Sequence, residues 1–321
     1  MKILVTGAAG FLGFSFIKKL LMNNNIKITG LDNFDTYYSV KLKKQRINIL
    51  KKNKNFTFKK IDIMKKKNLF NFLAKKKFNF VFHFAAQAGV RHVTADPKKY
   101  LDVNISGFFN VLQYVIKSQP MKFFYASSSS VYGDTYKFPT KESAILRPKN
   151  IYGLSKKFNE ELISVYSDSA KTKFIGLRFF TLYGEWGRPD MLLIKFMIYS
   201  LKKNLFKIHN YGNYIRDFTY INDAVSILEK LMRAKIKSKN LILNICSSKP
   251  LLLSDVIKKM MELTKFNLVQ KISAQKVEVV KTFGSNKKLL KIIGNFKFSR
   301  FDNGLKKTYL WFIKNKRYLI N

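Results

Sequence analysis

The chain has 321 residues and carries 61 Lys+Arg against 19 Asp+Glu, a formal net charge of +42, yet 47% of it is apolar. That apolar share excludes a disordered basic tail, and the length admits one large or two smaller domains around a substantial core. A single cysteine, Cys246, excludes a disulfide framework, and with only three histidines, His83, His92 and His209, no metal site is expected.

The first apolar segment, from Met1 to Val5 with Ala8-Ala9 behind it, is not read as a leader peptide. Lys18-Lys19 interrupt the apolar run, and three glycines stand at a fixed spacing that a leader would not need. No window offers 18 uninterrupted apolar residues, so no membrane helix is expected and a cytoplasmic location is. Short apolar runs at 3–5, 27–31, 56–61, 80–84, 123–126 and 174–177 read as buried strands. Helical patterns lie near 11–22, 40–52, 66–76, 98–118 and 150–168. This alternation predicts an α/β fold, a Rossmann doubly wound parallel sheet with helices on both faces. After about residue 182 the alternation loosens, and Gly184, Gly187, Pro189 and Gly212 mark loops. We expect a cofactor domain over 1–181 and a smaller C-terminal substrate-binding α/β lobe over 182–321. A strand–helix pair near 216–247 is expected to return to the main sheet.

Gly7-Ala8-Ala9-Gly10-Phe11-Leu12-Gly13 lies between the first strand and the first helix. Its glycines suit a tight turn, a close backbone approach to a pyrophosphate, and helix–strand packing, while the helix start offers N–H groups to the anion. The second strand ends at Asp32, 19 residues after Gly13. An acid there suits ribose hydroxyls and repels a 2′-phosphate, so NAD is expected over NADP. Asp62, before Ile63, fits either an adenine amino group or a helix N-cap. Ala85 and Ala86 close the fourth strand with small side chains that let backbone approach the cofactor.

Tyr152 and Lys156 form a YxxxK pair, which puts phenol and ammonium on one helix face. The spacing alone recurs by chance in a lysine-rich chain. Its place gives it weight: it follows the fifth strand, 24 residues beyond Ser128 in the run Ser127 to Ser130. A tyrosine with an ordinary pKa of about 10 is no base at neutral pH, and a nearby ammonium together with a nicotinamide cation is expected to lower it.

The glycine loop, Leu31-Asp32-Asn33-Phe34 with Tyr37-Tyr38, the segment Ala85 to Arg91, the serine run, and the YxxxK pair together resemble the extended short-chain dehydrogenases/reductases. Arg178 to Gly184, Trp186-Gly187-Arg188-Pro189-Asp190-Met191 and Arg216 to Ile221 narrow the resemblance to NAD-dependent nucleotide-sugar epimerases, closest to UDP-glucuronate 4-epimerases. The resemblance covers the chain to about residue 225. It implies that Tyr152, Lys156 and Ser128 are catalytic, with a UDP-sugar as substrate and surface polysaccharide as destination. It implies that Asn104 supports the cofactor or the active-site helix. Phe180 lies near the nicotinamide or is a core aromatic. Ser127, Ser128, Thr181 and Arg188 are candidates for holding a sugar carboxylate, though Arg188 also reads as a surface ion pair. Arg216 resembles a diphosphate ligand, or else a strand-edge ion pair, and Arg91 lies near the sugar end. The 4,6-dehydratases of the superfamily place Asp-Glu where this chain has Ser129-Ser130. Relatives commonly form dimers through two long helices. The last third departs from the pattern: 275–279 lacks a usual Pro-Gly-Asp-Val turn, and Ser285-Asn286 replaces a common acid.

The charge itself is mostly lysine. Nine of the 61 cations are arginine, leaving 52 lysines. Arginine reads phosphates and guanine edges bidentately, so specific nucleic-acid binding is not expected. Abundant Lys, Asn, Ile and Phe instead match AT-rich codons. Residues 41–80 nevertheless hold 14 lysines and Arg46 against Asp62 alone, which fits a solvated face or a polyanion-attracting patch.

Overall fold

The computed structural model describes residues 1–89, 96–274 and 279–320. The chain begins with β1 (Lys2–Thr6), α1 (Phe11–Leu20), β2 (Lys27–Asp32), α2 (Val40–Lys51), β3 (Phe56–Lys60), α3 (Lys66–Leu73) and β4 (Phe80–His83). Next come α4 (Pro97–Leu101), α5 (Phe108–Ser118), β5 (Lys122–Ser128), α6 (Ile151–Ser167) and β6 (Lys173–Phe179). Then follow β7 (Thr181–Tyr183), α7 (Leu192–Lys202), β8 (Phe206–Ile208), β9 (Ile215–Tyr220), α8 (Ile221–Arg233) and β10 (Asn240–Ile245). The last elements are β11 (Pro250–Leu252), α9 (Leu253–Thr264), β12 (Val269–Lys271), β13 (Lys281–Thr282), α10 (Lys287–Ile293) and α11 (Phe301–Asn315).

The main sheet has seven parallel strands in the order β10-β6-β5-β4-β1-β2-β3. Ile3, Leu4 and Val5 are wholly buried because both faces of the sheet are covered. Their side chains alternate: Ile3 and Val5 join one core cluster, Leu4 the other. Strand order reverses between β1 and β4, and in such sheets ligands bind beyond the strand C-termini at that reversal.

The predicted alternation holds through β6, with two differences. The helix expected over 98–118 is interrupted by a π-helical segment at Asp102–Gly107. Gly107 closes it, where a Cβ would stand 2.9 Å from Ile63 side-chain carbons. The pair near 216–247 does not return whole. β9 is the centre of a smaller sheet with β7, β11 and β13, and only β10 joins the main sheet beside β6. Asp217 links the two sheets, accepting the Ser247 and Ser248 N–H groups at 3.0 Å each, just past β10. The C-terminal helix α11 reaches toward α1 through a tryptophan pair: Trp311 meets Trp186 at 5.2 Å, and Trp186 meets Phe14 of α1 at 5.1 Å.

Candidate active site

A cleft of roughly 340 Å³ opens at the strand C-termini where the order reverses. Gly7, Gly10, Phe11 and Gly13 form one wall. Gly7 has φ +73°, and a Cβ there would lie 2.6 Å from the Ala85 nitrogen, so only glycine lets β4 approach the turn. A Cβ on Gly13 would lie 2.1 Å from the Gly7 carbonyl oxygen, which is why α1 can start directly on the loop. The first N–H groups of α1 therefore face the cleft without intrahelical partners.

Asp32 accepts the Ala9 N–H at 3.0 Å and the Phe34 N–H at 2.8 Å, so one carboxylate shapes the loop and lines the cleft. Burial pushes its pKa up, against the pull of those N–H groups and of Lys43 and Arg46. Lys43 is 6% exposed, lines the same wall, and lies 4.3 Å over the Tyr38 ring. The sequence reading missed it, because one lysine among many carries no signal. Asp62 and Ile63 also line the cleft. Asp62 accepts the Met64 N–H at 2.9 Å and the Asn33 amide at 3.2 Å, while α3 starts only at Lys66, so Asp62 shapes the turn and does not cap the helix.

Ala85, Ala86 and Gln87 form the floor. Asn104 is placed differently from a direct cofactor ligand: it is 1% exposed and does not line the cleft. Its side chain accepts the Gln87 N–H at 2.8 Å and donates to the Gln87 carbonyl at 3.1 Å and to Ser155 Oγ at 3.1 Å. Asn159 of α6 donates to the Asn104 carbonyl at 2.9 Å. Asn104 thus ties the end of β4 to the active-site helix.

Tyr152, Lys156 and Ser128 meet in the cleft. Asn150 caps α6, accepting the Gly153 N–H at 2.9 Å, and this cap orients the first turn that carries Tyr152. The expected lowering of the Tyr152 pKa depends on a nicotinamide cation; the chain alone supplies an opposing effect. Burial raises the pKa, outweighing a hydrogen bond with Ser128 and the charge of Arg188. The Lys156 ammonium stands 5.8 Å from the Tyr152 ring centre, and burial lowers its own pKa to about 8. Among the described residues this ammonium makes no hydrogen bond, so a buried cation is presented to the cleft.

Ser127 lines the cleft, but its hydroxyl is committed: it donates to Glu160 at 2.5 Å. Glu160 also takes Arg178 bidentately, at 2.9 and 2.6 Å, with both side chains nearly sealed from solvent. An ionised Glu160 accepts only, so Ser127 Oγ–H has no donor left for a substrate carboxylate. That expectation for Ser127 is therefore corrected. Glu160 is a supporting residue that sequence reasoning passed over, 33 residues from its serine.

Thr181 and Arg188 lie between this cleft and a second one of roughly 330 Å³ lined by Ser129, Ser130, Tyr214 and Arg216. Arg188 is neither a plain surface pair nor uncommitted. It forms a bidentate pair with Asp190 at 3.0 and 2.9 Å, and Tyr37 donates to the same Asp190 at 3.2 Å. Arg216 lies over the Tyr214 ring at 4.7 Å and donates to the carbonyls of Ile215 and Val280. Phe180 is 6% exposed, packs with Tyr132 at 6.3 Å and lines the first cleft. Arg91 and residues 275–278 lie outside the described residues. Ser285-Asn286 is structural: Asn286 donates to the Cys246 and Ser247 carbonyls at 3.3 Å each.

The donor set fits a dinucleotide: a phosphate-ready helix start, an acid at the ribose end, and a buried ammonium at the far end. A family model, the NAD dependent epimerase/dehydratase family, matches residues 3–246. The chain belongs to that family. The resemblance read from its motifs and the NAD dependence are thereby borne out. An uncharacterized protein of Methanocaldococcus jannaschii is 37% identical over 321 residues, 99% of this chain and 98% of that one. UDP-glucuronate 4-epimerase 2 of Arabidopsis thaliana is 39% identical over 232 residues, 70% of this chain and 52% of that protein. Among solved structures, a mutant UDP-glucuronic acid 4-epimerase of Bacillus cereus in complex with UDP-4-deoxy-4-fluoro-glucuronic acid and NAD has a TM-score of 0.92 at 28% identity, covering 98% of this chain and 99% of that one. Within the epimerase/dehydratase family, the clefts described here are where this chain's chemistry is to be sought.

Proposed function

We propose that this member of the family is a UDP-sugar 4-epimerase that interconverts UDP-glucuronate and UDP-galacturonate. The observation that carries the proposal is the meeting of Tyr152, Ser128 and Lys156 at the end of a cleft that continues, past Thr181 and Arg188, into one holding Arg216. On this reading residues 1–181 hold NAD and 182–321 hold the nucleotide sugar, with β10 lent back to the main sheet.

NAD, held along the cleft by the glycine loop and Asp32, would supply the hydride acceptor and donor for the sugar C4. Tyr152 accepts the 4-hydroxyl proton and gives it back, with Ser128 hydrogen-bonded to the same oxygen. Lys156 supplies positive charge at the floor, which favours the phenolate. Arg216 holds the diphosphate while the sugar turns. A 4-keto glucuronate is a β-keto acid and loses CO₂ if its carboxylate bond aligns with the carbonyl π system. Thr181, Ser129, Ser130 and Arg188 surround the place where a carboxylate would be held out of that alignment. Ser129-Ser130 also supply no acid–base pair for water elimination, which disfavours dehydration.

One observation favours a second reading. Asp190 already neutralises Arg188, so a neutral sugar, as in UDP-glucose or UDP-N-acetylglucosamine, would meet no uncompensated charge. Purified protein supplied with UDP-glucuronate and, separately, with UDP-glucose separates the two. The expected result is UDP-galacturonate from the first and no turnover of the second. Turnover of UDP-glucose alone, or release of CO₂, would sink the proposal. We also propose a homodimer, since α6 exposes an apolar stripe, Leu154, Phe158 and Val165, at 52, 43 and 75%.

A further inference from the structure

The lysine-rich stretch at 41–80 is not used up by this chemistry. Lys43 faces the cofactor cleft, but Lys54, Lys75, Lys76 and Lys77 lie at the opposite end of the sheet. There Lys2, Lys27, Lys54, Lys75, Lys76 and Lys77 converge on one depression of roughly 610 Å³. The cause is topological. β4, β1, β2 and β3 are parallel neighbours, so the segments that feed them all arrive at one end. All six lysines are exposed, and among the described residues none forms an ion pair. Thr29 and Thr57 line the depression with hydroxyl donors, and no acid does. The three acids of the first 80 residues, Asp32, Asp35 and Asp62, all stand at or beyond strand C-termini, at the far end. A uniform lysine background would not sort the acids this way. Six like charges around one hollow are unfavourable unless something negative offsets them.

We infer that this depression is a binding site for a linear chain of phosphates, of the kind presented by inorganic polyphosphate. Its cations are all lysines, point charges without the bidentate fork that reads bases. Its one aromatic lining residue, Phe78, is buried at 9% exposure, so no ring is offered for a base to stack on. Charge alone is recognised, which suits a polyphosphate chain over a nucleic acid. β1 spans about 16 Å between this end and the glycine loop, so an occupant leaves the cofactor cleft open.

The test uses the whole protein and fluorescently labelled inorganic polyphosphate, followed by anisotropy at several salt concentrations. With six lysines engaged, log Kd against log salt is expected to have a slope of magnitude about 4. Lys75→Glu/Lys76→Glu/Lys77→Glu should weaken binding at least about tenfold at ~0.15 M salt and flatten that slope. Lys287→Glu/Lys306→Glu/Lys314→Glu makes the same charge change on α10 and α11 and should leave Kd within about twofold. If the first variant melts early, Lys→Gln at the same three positions replaces it, with the same expected direction. Equal loss in both sets would overturn the inference by showing bulk charge attraction. So would no binding by the natural protein at ~0.15 M salt, or tighter binding of a single-stranded oligonucleotide with the same number of phosphates.

Discussion

Tyr152 carries a physical conflict that the cofactor is suited to resolve. Burial raises its pKa, so without a nicotinamide cation the phenolate is disfavoured, while Lys156, lowered by burial to about 8, keeps its ammonium at pH 7. NAD⁺ is therefore expected to bring tyrosinate absorbance to lower pH, seen as the difference between the natural protein and Tyr152→Phe. A difference unchanged by NAD⁺ would count against this. Tyr152→Phe itself should abolish epimerisation while NAD stays bound, checked by the cofactor content of the purified variant. Lys156 gives a stability prediction with a definite sign. Its folded pKa is about 8 against an ordinary 10.5, so between those values the unfolded chain binds the proton and the folded chain does not. Stability of the cofactor-free protein thus rises with pH across that window. At pH 7 the buried charge costs on the order of 3 kcal/mol, so Lys156→Met should raise the melting midpoint as it removes activity. At this scale the glycines, Asp32, Tyr152 and Lys156 were readable, because local spacing defines them. Glu160 and Lys43 were not, and Asn104 was reached only through the family resemblance. Each acquires its role from partners far along the chain, as Ser127 does from Glu160.

Elements were legible where burial imposes a pattern. The central strands β1, β4, β5 and β6 are covered on both faces and are mostly apolar, whereas the edge strand β3 buries only Phe56. β7, β11 and β13 have three, three and two residues, too few to show any period. The π-helical segment also left no mark, since its job is to place Asn104 against Gln87, a contact made 17 residues away. On α6, one face carries Tyr152 and Lys156 into the cleft and another bears the apolar stripe. If that stripe pairs two copies, Phe158→Glu should convert dimer to monomer in light scattering; an unchanged mass would refute the pairing. The Arg178–Glu160 pair joins this helix to β6. Arg178→Met strands a buried carboxylate and should cost about 3–5 kcal/mol in urea unfolding. Adding Glu160→Leu should recover much of that loss, which a purely steric defect would not allow.

For the whole molecule, net charge gave the least guidance in the sequence and gains meaning only from the fold. The same +42 is spread by the parallel topology into an end where acids shape a cofactor cleft and an end where lysines gather without them. The position of Arg178, sealed with Glu160, and of Arg188, paired with Asp190, likewise follows from tertiary contacts and not from composition.

The two tryptophans of the chain are packed against each other, with ring centres 5.2 Å apart and planes at 52°. One sits in the loop that also carries Arg188 and Asp190; the other rides on the C-terminal helix. Two indoles so close couple their electronic transitions, so the protein contains its own optical gauge. Near-ultraviolet circular dichroism should show a split band that Trp311→Phe collapses. Sugar-nucleotide binding that moves the arginine loop should change that band without any attached label, and detachment of the last helix should erase it before the main sheet melts.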